Sequence, residues 1–205
     1  MQGFLKGYYQ FSVWAMRLAY VNLLWFVFTI IGLGFLGLMP ATAGMFAVVR
    51  KWVSGEDEIK VFSTFWNSYR KEFLKSNVLG YILIGIGYIL YIELQILRAQ
   101  DSMVYFIASF GVIALIAVLC IVLLYAFPVF AHFNVGTFQN IRWAFIIGVI
   151  HPILTIALLV SIGSAYYIAL TTIPALLFFF GGSATAFVLT WGASKTFSKF
   201  EYVNV

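Results

Sequence analysis

The sequence predicts an all-α bundle of transmembrane helices, and three observations carry that prediction. Of 205 residues, 63% are hydrophobic and only 9% charged, against about 25% charged in a soluble domain. Mean hydropathy is +1.01. The apolar residues fall in runs as long as the roughly 20 residues that cross a bilayer. A soluble fold of this size could not hide so much apolar surface, so lipid must be the solvent for much of it. The expected architecture is one integral membrane domain over residues 1–205 with six membrane helices. The first two form a tight hairpin, and one amphipathic helix lies in the cytoplasmic interface.

The first apolar stretch, residues 18–49, is about 32 residues long, roughly 48 Å as a helix, which exceeds one ordinary span. It holds Gly32, Gly34 and Gly37, then Pro40. Glycine loosens a helix, and proline suits the first position of a new one. A hairpin over 14–55 is expected. Its arms run from about 14 to 33 and from about 39 to 52, ending near Gly55. Arg50 and Lys51 snorkel to the interface. The competing reading is one long tilted helix with a continuation that does not span, giving five crossings.

The linker 56–76 differs in kind. Phe62, Phe65, Trp66, Tyr69 and Phe73 recur on one helical stripe, with Asn67, Arg70, Lys71 and Lys75 on the other faces. That pattern is an amphipathic helix whose rings meet lipid or neighbouring helices and whose cations meet anionic headgroups. Asp57 is expected to cap its start and Gly55 to close the helix before it. Four further membrane helices fill 77–194. Two are the runs 77–97 and 103–130. The stretch 143–194 holds the other two, broken near Thr171, Thr172 and Pro174. Tyr105 and Tyr125 are about 30 Å apart along a helix, one hydrocarbon thickness.

Charge sets the orientation. With six crossings Lys6, Arg17, Arg50, Lys51, Lys60, Arg70, Lys71, Lys75, Arg142, Lys195 and Lys199 share one side, and Arg98 falls on the other. The positive-inside rule makes the first side, and both termini, cytoplasmic. The basic residues are scattered beside apolar runs, so they read as topology signals rather than a nucleic-acid surface.

Little in the chain suggests chemistry. Cys120 is the single cysteine, which excludes an internal disulfide. His132 and His151 are the only histidines, and a metal or haem site would need them to converge. His151 precedes Pro152, which frees a backbone carbonyl one turn earlier, so a hydrogen-bonding role at a local break suits it better. Glu93 lies near the outer interface with Arg98 and Asp101 close by, as a rim ion pair would. Residues 32–37 spell G-x-G-x-x-G but follow no strand, and no P-loop, HExxH or serine elbow occurs. No enzyme activity and no cofactor are expected. Small residues four apart, Ala43 with Ala47 beside Pro40, Ser161 with Ala165, Gly182 with Ala186, suit close helix packing.

The segment PATAGMFAVVRKWVSGEDE (40–58) followed by VFSTFWNSYRKEFLKSNVLGYI (61–82) resembles the signature of the YesL family of Gram-positive bacterial membrane proteins. The matched features are Pro40, Ala41, Ala43, Arg50-Lys51-Trp52, Gly55-Glu56, Phe65-Trp66, Arg70-Lys71 and Phe73. The resemblance implies a setting near sugar uptake, because family members tend to be encoded beside carbohydrate ABC importers and polysaccharide-degrading enzymes. It supplies no catalytic residues. The expectation is an accessory or regulatory protein of the bacterial cell membrane, in contact with lipid and the permease subunits of such an importer. The alternative is an independent channel or carrier, for which Asn22, Thr155 and Ser161 make a thin polar set.

Overall fold

The computed structural model describes residues 2–133 and 135–197, with side chains from residue 6 onward. Lys199 and the C-terminus lie outside the described residues. The elements are α1 (Gln2–Ile31), α2 (Phe35–Val53), α3 (Val61–Lys71), α4 (Phe73–Arg98), α5 (Met103–His132), α6 (Thr137–Ile150), α7 (Pro152–Thr172) and α8 (Ala175–Phe197). Among the described residues there is no strand. Five stretches are long and apolar enough to cross a membrane: Lys6–Ile31, Phe73–Arg98, Met103–His132, Pro152–Thr172 and Ala175–Phe197. The chain is therefore an all-α, multi-pass membrane protein. The sixth crossing, expected of the hairpin's second arm, is not among the five.

The hairpin itself forms. Leu33 (φ 62°) and Gly34 (φ 70°) reverse the chain between α1 and α2, and a Cβ on Gly32 would collide with the backbone of Gly37. At the far end of α2 the Gly55 N–H donates to Trp52 and the Glu56 N–H to Lys51. With Gly55 at φ 88° this is a Schellman cap. The expected start of the second arm was too late. Because α2 begins at Phe35, Pro40 sits inside the helix, where it leaves the Leu36 carbonyl without its intrahelical donor. Asn77 of α4 supplies the missing donor, 3.0 Å from that oxygen.

Most of α2 is buried, and it packs against α1, α3, α4, α5 and α8. Its direction follows from four contacts. Lys75 lies 5.3 Å from the Phe130 ring, and a Cβ on Gly87 would sit 3.3 Å from Leu119, so α4 and α5 run antiparallel. Met39 then meets Gly80 on α4, while Phe46 stacks on Phe127 of α5 at 5.6 Å. Those two points lie at the same height on the α4–α5 pair. They are about 10 Å apart along α2, one interhelical spacing. Hence α2 lies across that pair instead of running alongside it.

The rest of the bundle is tied by polar side chains that answer backbone groups. Asn22 donates to the Phe178 carbonyl at 2.7 Å and accepts from the Ser183 N–H at 3.1 Å, joining α1 to α8. The break between α6 and α7 falls at His151, with Pro152 opening α7. The carbonyl that Pro152 frees, on Gly148, is taken by the Thr155 hydroxyl at 2.8 Å, and that hydroxyl also meets Tyr125 at 3.0 Å. The hydrogen-bonding part expected of His151 thus belongs to Thr155; the His151 Nε2 is buried with no partner. The α7–α8 turn lies at 173–174 as expected, and Lys195 sits 3.4 Å over the Trp191 ring.

Candidate functional site

The linker helix is shorter than expected: α3 covers Val61–Lys71, and after a break at Glu72 the chain continues as α4. Its N-cap position is Lys60, without a side-chain cap. Asp57 instead binds Arg17 of α1, at 3.3 Å to the carboxylate and 3.0 Å to its carbonyl. The ring stripe faces protein. Phe65 and Tyr69 are buried, and Phe28 of α1 lies within 5.2 to 6.1 Å of Phe62, Phe65, Trp66 and Tyr69. The Tyr69 hydroxyl donates to the Phe28 carbonyl at 3.2 Å, and burial pushes its phenol above the usual range. Phe73 belongs to α4 and meets Tyr69 edge-on at 5.7 Å. Phe62 remains 52% exposed. Thus α3 spends its apolar stripe mainly on α1 and α2, as an arm folded onto the bundle.

That folding splits the predicted cations. Arg70 is exposed and lies 5.6 Å over Trp66. Lys71 and Lys75 turn to the other side, into an open cleft of about 490 Å³. The wall from α2 is Ala43, Ala47, Arg50 and Lys51. From α3 and its break come Thr64, Asn67, Ser68, Lys71 and Glu72, and α4 adds Lys75. The C-terminal end of α5, with Phe130, Ala131, His132 and the following Phe133, closes the cleft. Ala43 and Ala47 border the cleft, while Gly44 is where α2 meets α3. A Cβ there would lie 3.1 Å from the Phe65 carbonyl oxygen.

Four cations and one carboxylate thus share one concave surface. Lys51 also reaches Glu56 at 3.4 Å. Among the described residues Arg50, Lys71 and Lys75 have no ion pair. Sequence reasoning found Lys71 and Lys75 but assigned them to lipid headgroups along a flat helix, and it treated Arg50 and Lys51 as snorkelling residues. The signal that could have joined them is the fold-back of α3 along α2, which no residue spacing announces.

The remaining sequence candidates do not converge. His132 stacks on Phe197 at 4.5 Å, far from the α6–α7 break that holds His151. No group of three metal-ligating side chains exists among the described residues. Glu93, Arg98 and Asp101 are exposed and form no ion pair with one another, so the expected rim pair is absent. Asn22 and Thr155 serve helix contacts, and Ser161 bonds back to Leu158 in its own helix.

The fold and the cleft define a multi-pass helical membrane protein with a basic, open recess where the α4–α5 hairpin ends. The family described as "Protein of unknown function, DUF624" matches residues 18–94, which contain most of the cleft. The Bacillus subtilis (strain 168) protein YesL is 37% identical over 197 residues, covering 96% of this chain and 92% of YesL. YteU of the same organism is 36% identical, covering 90% of this chain and 82% of YteU. YesV is 32% identical, covering 90% and 88%. All three are described as uncharacterized. The chain belongs to this YesL-like family. No solved structure matches it.

Proposed function

We propose that this chain is an accessory or regulatory membrane protein of a carbohydrate ABC importer, acting through a partner and without catalysis of its own. One observation carries the reading. Among the buried polar side chains, Asn22, Asn77, Asn140 and Thr155 are bonded to backbone groups of other turns and helices. A sugar carrier needs such groups turned toward a shared cavity. What the bundle offers instead is surface, in the outer side of α3 with Phe62 and Arg70 exposed and in the cleft beside it. The family resemblance adds the setting of sugar import.

The membrane is the bacterial cell membrane, and the cleft end faces the cytoplasm. Lys71, Lys75, Arg50 and Lys51 gather at that end, whereas Arg98 closes α4 at the other, as the positive-inside rule requires. Both termini are cytoplasmic in the six-crossing form of this reading, in which α1 and α2 cross as a pair. An importer's ATPase subunits work on this side, where α3 can touch the permease.

The test is purification of the tagged chain in mild detergent from cells grown on single polysaccharides, paired with gene deletion. Co-purification of a permease, and loss of uptake of one oligosaccharide on deletion, are the expected results. If the protein purifies alone and deletion alters no permease level and no sugar uptake, the accessory reading is wrong. Solute uptake by proteoliposomes holding this chain alone would then establish a channel or carrier.

A further inference from the structure

We propose that the cleft between α2, α3 and the end of α5 binds one phosphate ester, through Arg50, Lys71 and Lys75. Charge and geometry both support it. These cations come from three different helices and converge on one concavity, which a merely solvated charged face does not require. A guanidinium grips phosphate oxygens in pairs, and lysines add point charges.

Helix ends offer a competing account, since cations near C-termini offset the helix dipole. Arg50 and Lys51 lie in the last turn of α2, and Lys71 closes α3. The count exceeds that need. The lining holds four cations against Glu72, and Glu56 offsets Lys51. The C-termini of α2 and α5 each contribute about half a negative charge, while the C-terminus of α3 and the N-terminus of α4 cancel. A surplus of about one positive charge remains, which balances a phosphodiester and offsets part of the charge of about −1.5 to −2 on a phosphomonoester at pH 7.

The cleft's size and lining define the rest of the ligand. A volume of about 490 Å³ lies within the roughly 300–1,000 Å³ of small-molecule sites and exceeds what bare phosphate fills. Asn67 and Ser68 offer hydrogen bonds to hydroxyls, and Ala47 and Phe130 offer an apolar wall. A phosphate carrying a polyol suits this lining. Two sources have that chemistry: the glycerophosphate headgroup of an anionic lipid, and a soluble phosphorylated polyol or sugar. The inference does not depend on the importer reading, because it concerns the cleft alone.

The experiment uses the full chain in neutral detergent at fixed ionic strength. One arm titrates glycerol 1-phosphate against a glycerol control by calorimetry. The other counts bound phosphatidylglycerol against phosphatidylcholine by native mass spectrometry. Saturable binding of about one molecule per chain is expected in at least one arm, and the arm that responds identifies the source. R50Q/K71Q should weaken it by about tenfold or more, from lost charge-assisted bonds. R70Q, which removes an equal charge outside the cleft, should leave it unchanged. Should R50Q/K71Q fail to elute as a single species, E72Q replaces it and should tighten binding. No saturable binding in either arm, equal loss in R70Q, or no gain in E72Q would each overturn the proposal.

Discussion

Removing the Asn77 amide should cost stability in an amount that depends on Pro40. Pro40 has no N–H, so the Leu36 carbonyl inside α2 lacks its helical donor. The Asn77 Nδ2 donates to that oxygen at 3.0 Å and to the Phe73 carbonyl at 2.9 Å, and Asn77 is 5% exposed. Its Oδ1 is buried without a partner, which fixes the amide's sense: both neighbours are carbonyls, so the NH2 must face them. Truncation to alanine leaves the Leu36 carbonyl without its donor, at about 0.6–1.7 kcal/mol for hydrogen bonds between membrane helices. Pro40→Ala returns the backbone donor. Asn77→Ala should therefore cost less in the Pro40→Ala background, with a coupling of about 0.6–1.7 kcal/mol. The assay is reversible unfolding in mixed micelles with rising dodecyl sulfate, followed by tryptophan fluorescence. Additivity of the two substitutions within about 0.5 kcal/mol would refute the idea that Asn77 answers the proline.

Two further outcomes test the fold. Gly32→Ala should destabilise by about 2 kcal/mol or more, since the new methyl would strike Gly37 backbone and the Tyr69 hydroxyl, whereas Gly85→Ala, with nothing within 4 Å, should be neutral or stabilising in the same unfolding assay. In a Cys120→Ser background, an impermeant thiol reagent on intact cells should label a cysteine at Gln100, in the α4–α5 loop, and spare one at Gly136, beyond the other end of that hairpin; equal labelling would contradict a membrane crossing by α4 and α5.

The spanning runs were legible because lipid leaves a composition signal over some twenty residues, and α4, α5, α7 and α8 carry it undiluted. The turn at Gly34 and the cap at Gly55 were legible because positive φ favours glycine; Leu33, also at positive φ, gave no such signal. The start of α2 was not legible. Proline reads as a helix start when seen in sequence, and only the distant Asn77 makes Pro40 tolerable within one. The second arm is not among the five long apolar spans; most of α2 is buried against other helices, and hydropathy does not separate burial among helices from contact with lipid. The same ambiguity left the α3 stripe open to lipid or to neighbouring helices, and Phe28 is the surface it meets. Lys71 and Lys75 were found, but their union with Arg50 depends on the α3 fold-back.

The tie at Asn77 and the cleft are parts of one arrangement. Asn77 sits two residues after Lys75, and its bond to Leu36 pins the start of α2 to the start of α4. With that end fixed, α2 must leave across the α4–α5 pair, which carries Ala43 and Ala47 past the end of α5 and sets Arg50 within the same recess as Lys75. The Schellman cap at Gly55 then turns the chain, and the Arg17–Asp57 pair holds the turn against α1. From there Phe65 and Tyr69 bring α3 back along α2 until Lys71 closes the recess. Each cation thus owes its place to a backbone device elsewhere in the 18–94 segment that the family match covers. A proline that breaks one helical hydrogen bond is retained inside the most buried helix of the bundle. Its partner lies on the helix whose first turn bears Lys75, so the local cost of Pro40 fixes the geometry on which the basic recess depends.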